Sequence, residues 1–135
     1  MLYLDASAIT KLVVTEVESE ELRAVVLGRR LATSRVSVVE VGKAVGRARP
    51  DADASTVLAM HAFVEFDAEL AAVAAAAGGA TLRALVAIHV ASALRLGPEV
   101  EWFLTYDDRQ ADAAAAAGLR VLAPGRRDEP EVSGG

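Results

Sequence analysis

Short apolar runs alternate with helix-forming segments along nearly the whole chain, and this alternation restricts the fold more than any other feature of the sequence. Residues 2–4, 31–33, 62–66, 102–106 and 119–122 read as five buried strands. Helical periodicity fills the gaps, at residues 8–14, 19–27, 34–48, 51–61, 67–77, 81–96 and 109–117. Gly28, Gly78-Gly79, Gly97-Pro98 and Gly118 punctuate the helix ends, and Pro50 stops the segment before it. A regular strand–helix succession predicts a three-layer α/β/α sandwich around a mainly parallel sheet. The 135 residues fit one domain, expected over residues 1–124. A polar, Gly- and Pro-bearing tail follows at residues 125–135 and is expected to be mobile or to order only on a partner.

Composition narrows the function classes. Apolar residues make up 53% of the chain and aromatic ones only 4%, which favours closely packed helices over a β-sandwich. There is no cysteine, so disulfides and thiolate metal sites are excluded, and a reducing cytoplasm is the expected setting. No run resembles a signal peptide or is long enough to span a bilayer, and no membrane association is expected. The formal net charge is −5, the wrong sign for a domain that grips nucleic acid by bulk electrostatics. It is compatible with a site whose carboxylates hold divalent cations, because bound metal reverses the local charge.

Three acids stand out. Asp5 follows the first strand and Asp107 the fourth, and ligand sites in open α/β sheets form outside the carboxyl ends of the strands. Either residue alone could be an ordinary helix N-cap. Glu40 lies among valines in a helix that reads as largely buried. There a carboxylate needs a cation or donors, the plainer alternative being a surface stripe shared with Lys43. Acids from two strand ends and one helix can converge on a single point of such a fold. Clustered carboxylates suit a hard divalent cation such as Mg2+ or Mn2+, and metal-assisted phosphodiester hydrolysis is the matching reaction class.

Four stretches resemble a known family. Leu2-Tyr3-Leu4-Asp5-Ala6-Ser7-Ala8 resembles the opening of PIN-domain ribonucleases of the VapC toxin type, and Ser37-Val38-Val39-Glu40 resembles their second motif. Leu82-Arg83-Ala84-Leu85-Val86-Ala87-Ile88-His89 resembles the third, which usually reads Leu-Arg-x-Leu-Asp-Ala-Ile-His. Leu104-Thr105-Tyr106-Asp107, followed by Arg109 and an alanine-rich helix ending at Gly118-Leu119, resembles the fourth. The resemblance implies a PIN-like sandwich and a Mg2+- or Mn2+-dependent endoribonuclease with Asp5, Glu40 and Asp107 as catalytic and metal-holding acids. Ser7 and Thr105 would be supporting hydroxyls. It implies a VapB-type antitoxin partner, an RNA substrate and a homodimer.

The third motif departs from the pattern, with Val86 where the family carries an acid. Valine neither ligates metal nor accepts a hydrogen bond. Either the change was introduced so that a toxic nuclease could be produced in a living host, the preferred reading since the other motifs are intact, or it is native to a chain that binds its antitoxin and cleaves poorly. The competing reading of the whole chain is a non-catalytic module that receives a basic partner in its acidic pocket. A nucleotide-binding or phosphate-receiving α/β domain would want a Gly-rich loop after a strand or a lysine ending a late strand, and neither is present. His89 reads as a satisfied core histidine and His61 has no functional case. Arg47, Arg49, Arg83 and Arg109 are candidates to touch RNA phosphates, the plainer reading being solvated helix ends, and Trp102 reads as packing between sheet and helix.

Overall fold

The computed structural model describes residues 1–126. Its strands are β1 (Leu2–Leu4), β2 (Leu31–Ser34), β3 (His61–Val64), β4 (Trp102–Leu104) and β5 (Val121–Leu122). Its helices are α1 (Ala6–Val13), α2 (Ser19–Val26), α3 (Ser37–Ala48), α4 (Ser55–Leu58), α5 (Ala68–Ala76), α6 (Ala84–Leu96) and α7 (Asp108–Ala116). All five strands are parallel, in the order β3-β2-β1-β4-β5.

The period-2 geometry of the strands divides the core into two layers. Leu2 and Leu4 of β1 face Ile9, Leu22, Val41 and Val45 on the α1–α4 side. Tyr3, between them, packs with Phe103, Val90 and Ala114 on the α6–α7 side. A third cluster joins Val64 to Leu70 and Ala74 of α5 and to Ala87 and Ala91 of α6. The small side chains of α5 and α6 allow this close packing. Trp102, on β4, packs against the α1–α4 core cluster as the sequence suggested. It is half-buried, with the Arg120 guanidinium 4.1 Å above its ring centroid.

Several segments differ from the sequence reading; β3 ends at Val64 instead of residue 66, β5 starts at Val121 instead of 119 and α3 at Ser37 instead of 34. Helix over residues 51–61 is confined to Ser55–Leu58. The Asp53 carboxylate accepts from the Ser55 amide at 3.0 Å, an Asx turn that competes with helix, and His61 already belongs to β3. Helix α6 starts at Ala84 rather than residue 81, because Gly78 and Gly79 both adopt positive φ and Arg83 is extended. Strand β4 ends at Leu104. Beyond it the Tyr106 amide donates to the Ser7 hydroxyl, and the chain turns into the cleft. Gly118, at φ +93, reverses the chain after α7.

The start of the expected tail lies against the domain. The Tyr106 hydroxyl donates to the Pro124 carbonyl, and Arg126 bonds Asp108 and the Tyr106 carbonyl. The remainder of the tail, residues 127–135, is outside the described residues.

Candidate active site

The carboxyl ends of β1 and β4 lie side by side, with Leu4 paired to Leu104. Each strand is followed at once by an aspartate that caps a helix. Asp5 Oδ1 accepts from the Ala8 amide at 3.1 Å and opens α1, and Asp107 Oδ1 accepts from the Gln110 amide at 3.0 Å and opens α7. The capping role and the site role thus fall on the same residues, since capping fixes where each carboxylate stands.

Two hydroxyls knit the strand ends together. Ser7 Oγ donates to Asp5 Oδ1 at 2.6 Å and accepts from the Tyr106 amide at 2.9 Å. Thr105 Oγ1 donates to Asp5 Oδ2 and accepts from the Asp107 amide. Burial raises the Asp5 carboxyl above its ordinary range; the nearby His89 imidazole and the bonds from Ser7, Thr105 and Ala8 work in the opposite direction. Asp5 is only 3% exposed, whereas Asp107 is open to solvent.

Glu40 reaches the same place from α3. Its Oε1 lies 2.7 Å from His89 Nε2, and His89 Nδ1 lies 2.7 Å from the Tyr3 hydroxyl. Tyr3 is fully buried and stacks on Phe103. Lys43 makes no ion pair with Glu40 among the described residues, but the two share one face of α3, and that helix is less buried than the sequence suggested: Val38 and Val39 beside Glu40 are exposed, and only Ser37, Val41 and Val45 are buried.

Asp5, Ser7, Glu40, Val86 and Asp107 all line one cavity of about 750 Å³. Thr105 lies behind it, touching the site through Asp5 and Ser7. Val86 sits on the first turn of α6, 8% exposed. That helix starts without a side-chain cap and without an acid in its first turn. Among the described residues no three His, Asp or Glu side chains are drawn close enough to form a metal-holding cluster. The three acids share a cavity while each keeps its own protein partner.

The sequence reading missed several groups that face this cavity. His89 is buried as a core histidine would be, but its ring also lines the cavity and bonds Glu40. The available signal was its spacing: three residues after Val86, it shares a helix face with the position of the absent acid. Lys43, Arg47, Arg83 and Arg109 also line the cavity, while Arg49 does not. His61 is buried away from it, Nδ1 on the Val57 carbonyl at 3.0 Å and Nε2 without a partner among the described residues.

Comparison with known proteins places this arrangement. Residues 2–116 match the family model of the PIN domain. Ribonuclease VapC35 of Mycobacterium tuberculosis is 38% identical over 133 residues, covering 93% of this chain and 98% of that protein. Ribonuclease VapC46 of the same organism is 39% identical over 129 residues, covering 91% and 97%. Ribonuclease VapC47 is 34% identical over 135 residues, covering 93% and 98%. A solved structure titled "Structure of FitAB bound to IR36 DNA fragment" superposes with a TM-score of 0.65 at 18% identity, covering 97% of this chain and all of that one, and so supports the fold. Matched by the PIN-domain family model over residues 2–116 and by ribonucleases over nearly its full length, the chain belongs to the PIN-domain family, in its VapC-type ribonuclease branch.

Proposed function

We propose that this chain is the toxin of a toxin–antitoxin pair, an endoribonuclease that hydrolyses RNA phosphodiester bonds with the help of a divalent cation. The observation that carries this reading is the convergence of Asp5, Glu40 and Asp107 on one cavity, in a chain whose relatives are named ribonucleases. PIN-domain ribonucleases are in general divalent-metal dependent. An oxygen donor set of three carboxylates suits Mg2+ or Mn2+, and Mg2+ requires only one or two of them because it retains waters. Asp5, Glu40 and Asp107 line the cavity without meeting as a three-carboxylate cluster, so one or two of them together with waters would hold the ion. When bound, it supplies Lewis-acid stabilisation of the phosphate and a water of lowered pKa.

The chain's own residues prepare the site. Ser7 and Thr105 orient the Asp5 carboxylate through both of its oxygens. His89 fixes the direction of Glu40. Asp107, open to solvent at the cavity edge, is placed to orient the attacking water. Val86 puts an apolar wall where the family carries an acid, which leaves this chain a weak nuclease.

The proposed partners are a small VapB-type antitoxin covering the acidic cavity and a second copy of the chain, in the cytoplasm. No helix among the described residues is long and apolar enough to cross a membrane. Val86 favours a second reading, a non-catalytic module that binds its antitoxin through the same cavity. Incubating the chain and its Val86→Asp variant with RNA in Mg2+, Mn2+ or EDTA separates the two. Cleavage that needs metal and falls on Asp5→Asn supports the nuclease, whereas silence in both chains supports the module.

A further inference from the structure

The cavity that holds the acids is also lined by four cations, Lys43, Arg47, Arg83 and Arg109. None of the four makes an ion pair or side-chain hydrogen bond with the described residues. Most cations elsewhere are engaged. Lys11 pairs with Glu16 and Glu18, Arg29 with Glu101, Arg35 with Glu65, Arg95 with Asp67 and Arg126 with Asp108. Arg23 bonds Thr15 and Arg120 covers Trp102; among the described residues Arg30 and Arg49 are the other unengaged ones.

Their placement is ordered. Glu40, Lys43 and Arg47 follow at i, i+3 and i+7 on α3, one face of the helix extending about 10 Å from the acid at 1.5 Å per residue. On the opposite wall Arg83 stands at the N-cap of α6, three residues before Val86, and Arg109 in the first turn of α7, two residues after Asp107. A second cavity of about 390 Å³ shares Arg83, Val86 and Arg109 with the first and continues past Thr81 and Asp112. The two meet at Arg83, Val86 and Arg109 and form one groove, with Lys43 and Arg47 on α3, Arg83 and Arg109 at the starts of α6 and α7, and Asp112 in the second cavity.

We propose that this groove is the track of a single RNA strand, with Lys43 and Arg47 holding phosphates on one side of the scissile bond and Arg83 and Arg109 holding phosphates on the other. The proposal rests on the ribonuclease reading and adds the path of the substrate. Unpaired cations on two walls of a concave groove match a flexible phosphate backbone entering between them. An acidic centre alone would repel such a strand, and the flanking charges offset that repulsion. Among the described residues no Phe, Tyr or Trp lines either cavity, and the His89 ring is held by Tyr3 and Glu40, so grip comes from phosphates rather than stacked bases and is tolerant of sequence at these positions.

The test is fluorescence anisotropy of labelled 12-nucleotide oligo-U and oligo-A RNA against the full chain, in calcium buffer across a KCl series. For single strands each phosphate contact contributes about 0.7 to the log–log salt slope. The paired variants Lys43→Gln/Arg47→Gln and Arg83→Gln/Arg109→Gln should each lower that slope by about 1.4 and weaken both oligonucleotides alike. Arg83→Lys/Arg109→Lys should retain the slope, and Arg29→Gln, at the opposite end of the sheet, should match the unaltered chain. Thermal unfolding midpoints should not fall in the glutamine variants. A fall would mean that the cations serve to balance the acids, and would overturn the proposal. RNA binding with slope and affinity unchanged in both glutamine variants would overturn the track and leave the ribonuclease reading standing. No RNA binding at any salt would overturn both. A poly-glutamate peptide bound as tightly and with the same slope would reassign the cations to an acidic protein segment.

Discussion

His89 Nε2 stands 2.7 Å from Glu40 Oε1, across 49 residues of sequence, and joins α6 to α3 at the cavity wall. A lone pair on Nε2 would face the carboxylate unfavourably, so Nε2 carries the proton of this bond. Burial holds the Tyr3 hydroxyl well above its ordinary pKa, so it stays protonated against Nδ1. The chain Tyr3–His89–Glu40 therefore fixes the direction of the Glu40 carboxylate from within the core.

Replacing His89 with alanine should lower metal-dependent RNA cleavage by at least about tenfold, roughly 1.4 kcal/mol, measured in the Val86→Asp background where activity is higher. Tyr3→Phe leaves Nδ1 buried without its partner and should cost about 1–3 kcal/mol of stability. Denaturant unfolding reads the second effect. Undiminished cleavage by His89→Ala would show that Glu40 needs no such support.

Asp5 couples function to pH in a defined direction. Burial raises its carboxyl above the ordinary 3.8, so the folded chain binds the proton more tightly than the unfolded chain. Its contribution to stability is present at acid pH and is lost as pH rises through the raised value. Asp5→Asn should therefore melt higher than the unaltered chain at neutral pH. That advantage should shrink as pH falls, and cleavage should drop by at least about tenfold. A variant that melts lower at every pH would contradict the sign.

Restoring the acid at position 86 should raise cleavage by at least about tenfold. Burying a carboxylate there costs on the order of 1–3 kcal/mol. The position is in the first turn of α6, which has neither a side-chain cap nor an acid, so the helix dipole returns about 0.3–1 kcal/mol. Val86→Asp should therefore be less stable by about 1–2 kcal/mol in chemical denaturation. Equal cleavage by the two chains would mean that position 86 is not part of the site.

His61 shapes the acid limb of stability. Burial lowers its pKa from 6.5, and the carbonyls of Val57 and Leu58 offset this only in part. The folded chain thus resists protonation that the unfolded chain accepts, and stability declines as pH falls from 6.5 through the depressed value. His61→Phe should flatten that decline while leaving cleavage intact. An unchanged pH profile of the melting temperature would refute it.

The sequence by itself determined the parallel α/β sandwich and placed Asp5 and Asp107, because a strand that ends in a helix-capping aspartate is a local pattern. Glu40 was singled out as a charge among valines, but Val38 and Val39 are exposed, so its place in the cavity follows from the packing of α3 and not from burial of its own segment. Tertiary structure alone decided what its partner is. Lys43, one turn away, was the nearest candidate, but the packing of α6 beside α3 delivers His89 from 49 residues further along the chain. The same packing brings Arg83 and Arg109 to the cavity that Lys43 and Arg47 line, whereas in the sequence the three arginines read singly as solvated helix ends and Lys43 as a stripe neighbour of Glu40. Local physics fixes where a helix starts and which face is apolar, as Asp53 shows where it cuts short the expected helix over residues 51–61. Which polar groups from distant helices meet in one groove depends on how the layers close over the sheet, and no spacing within a single segment records it.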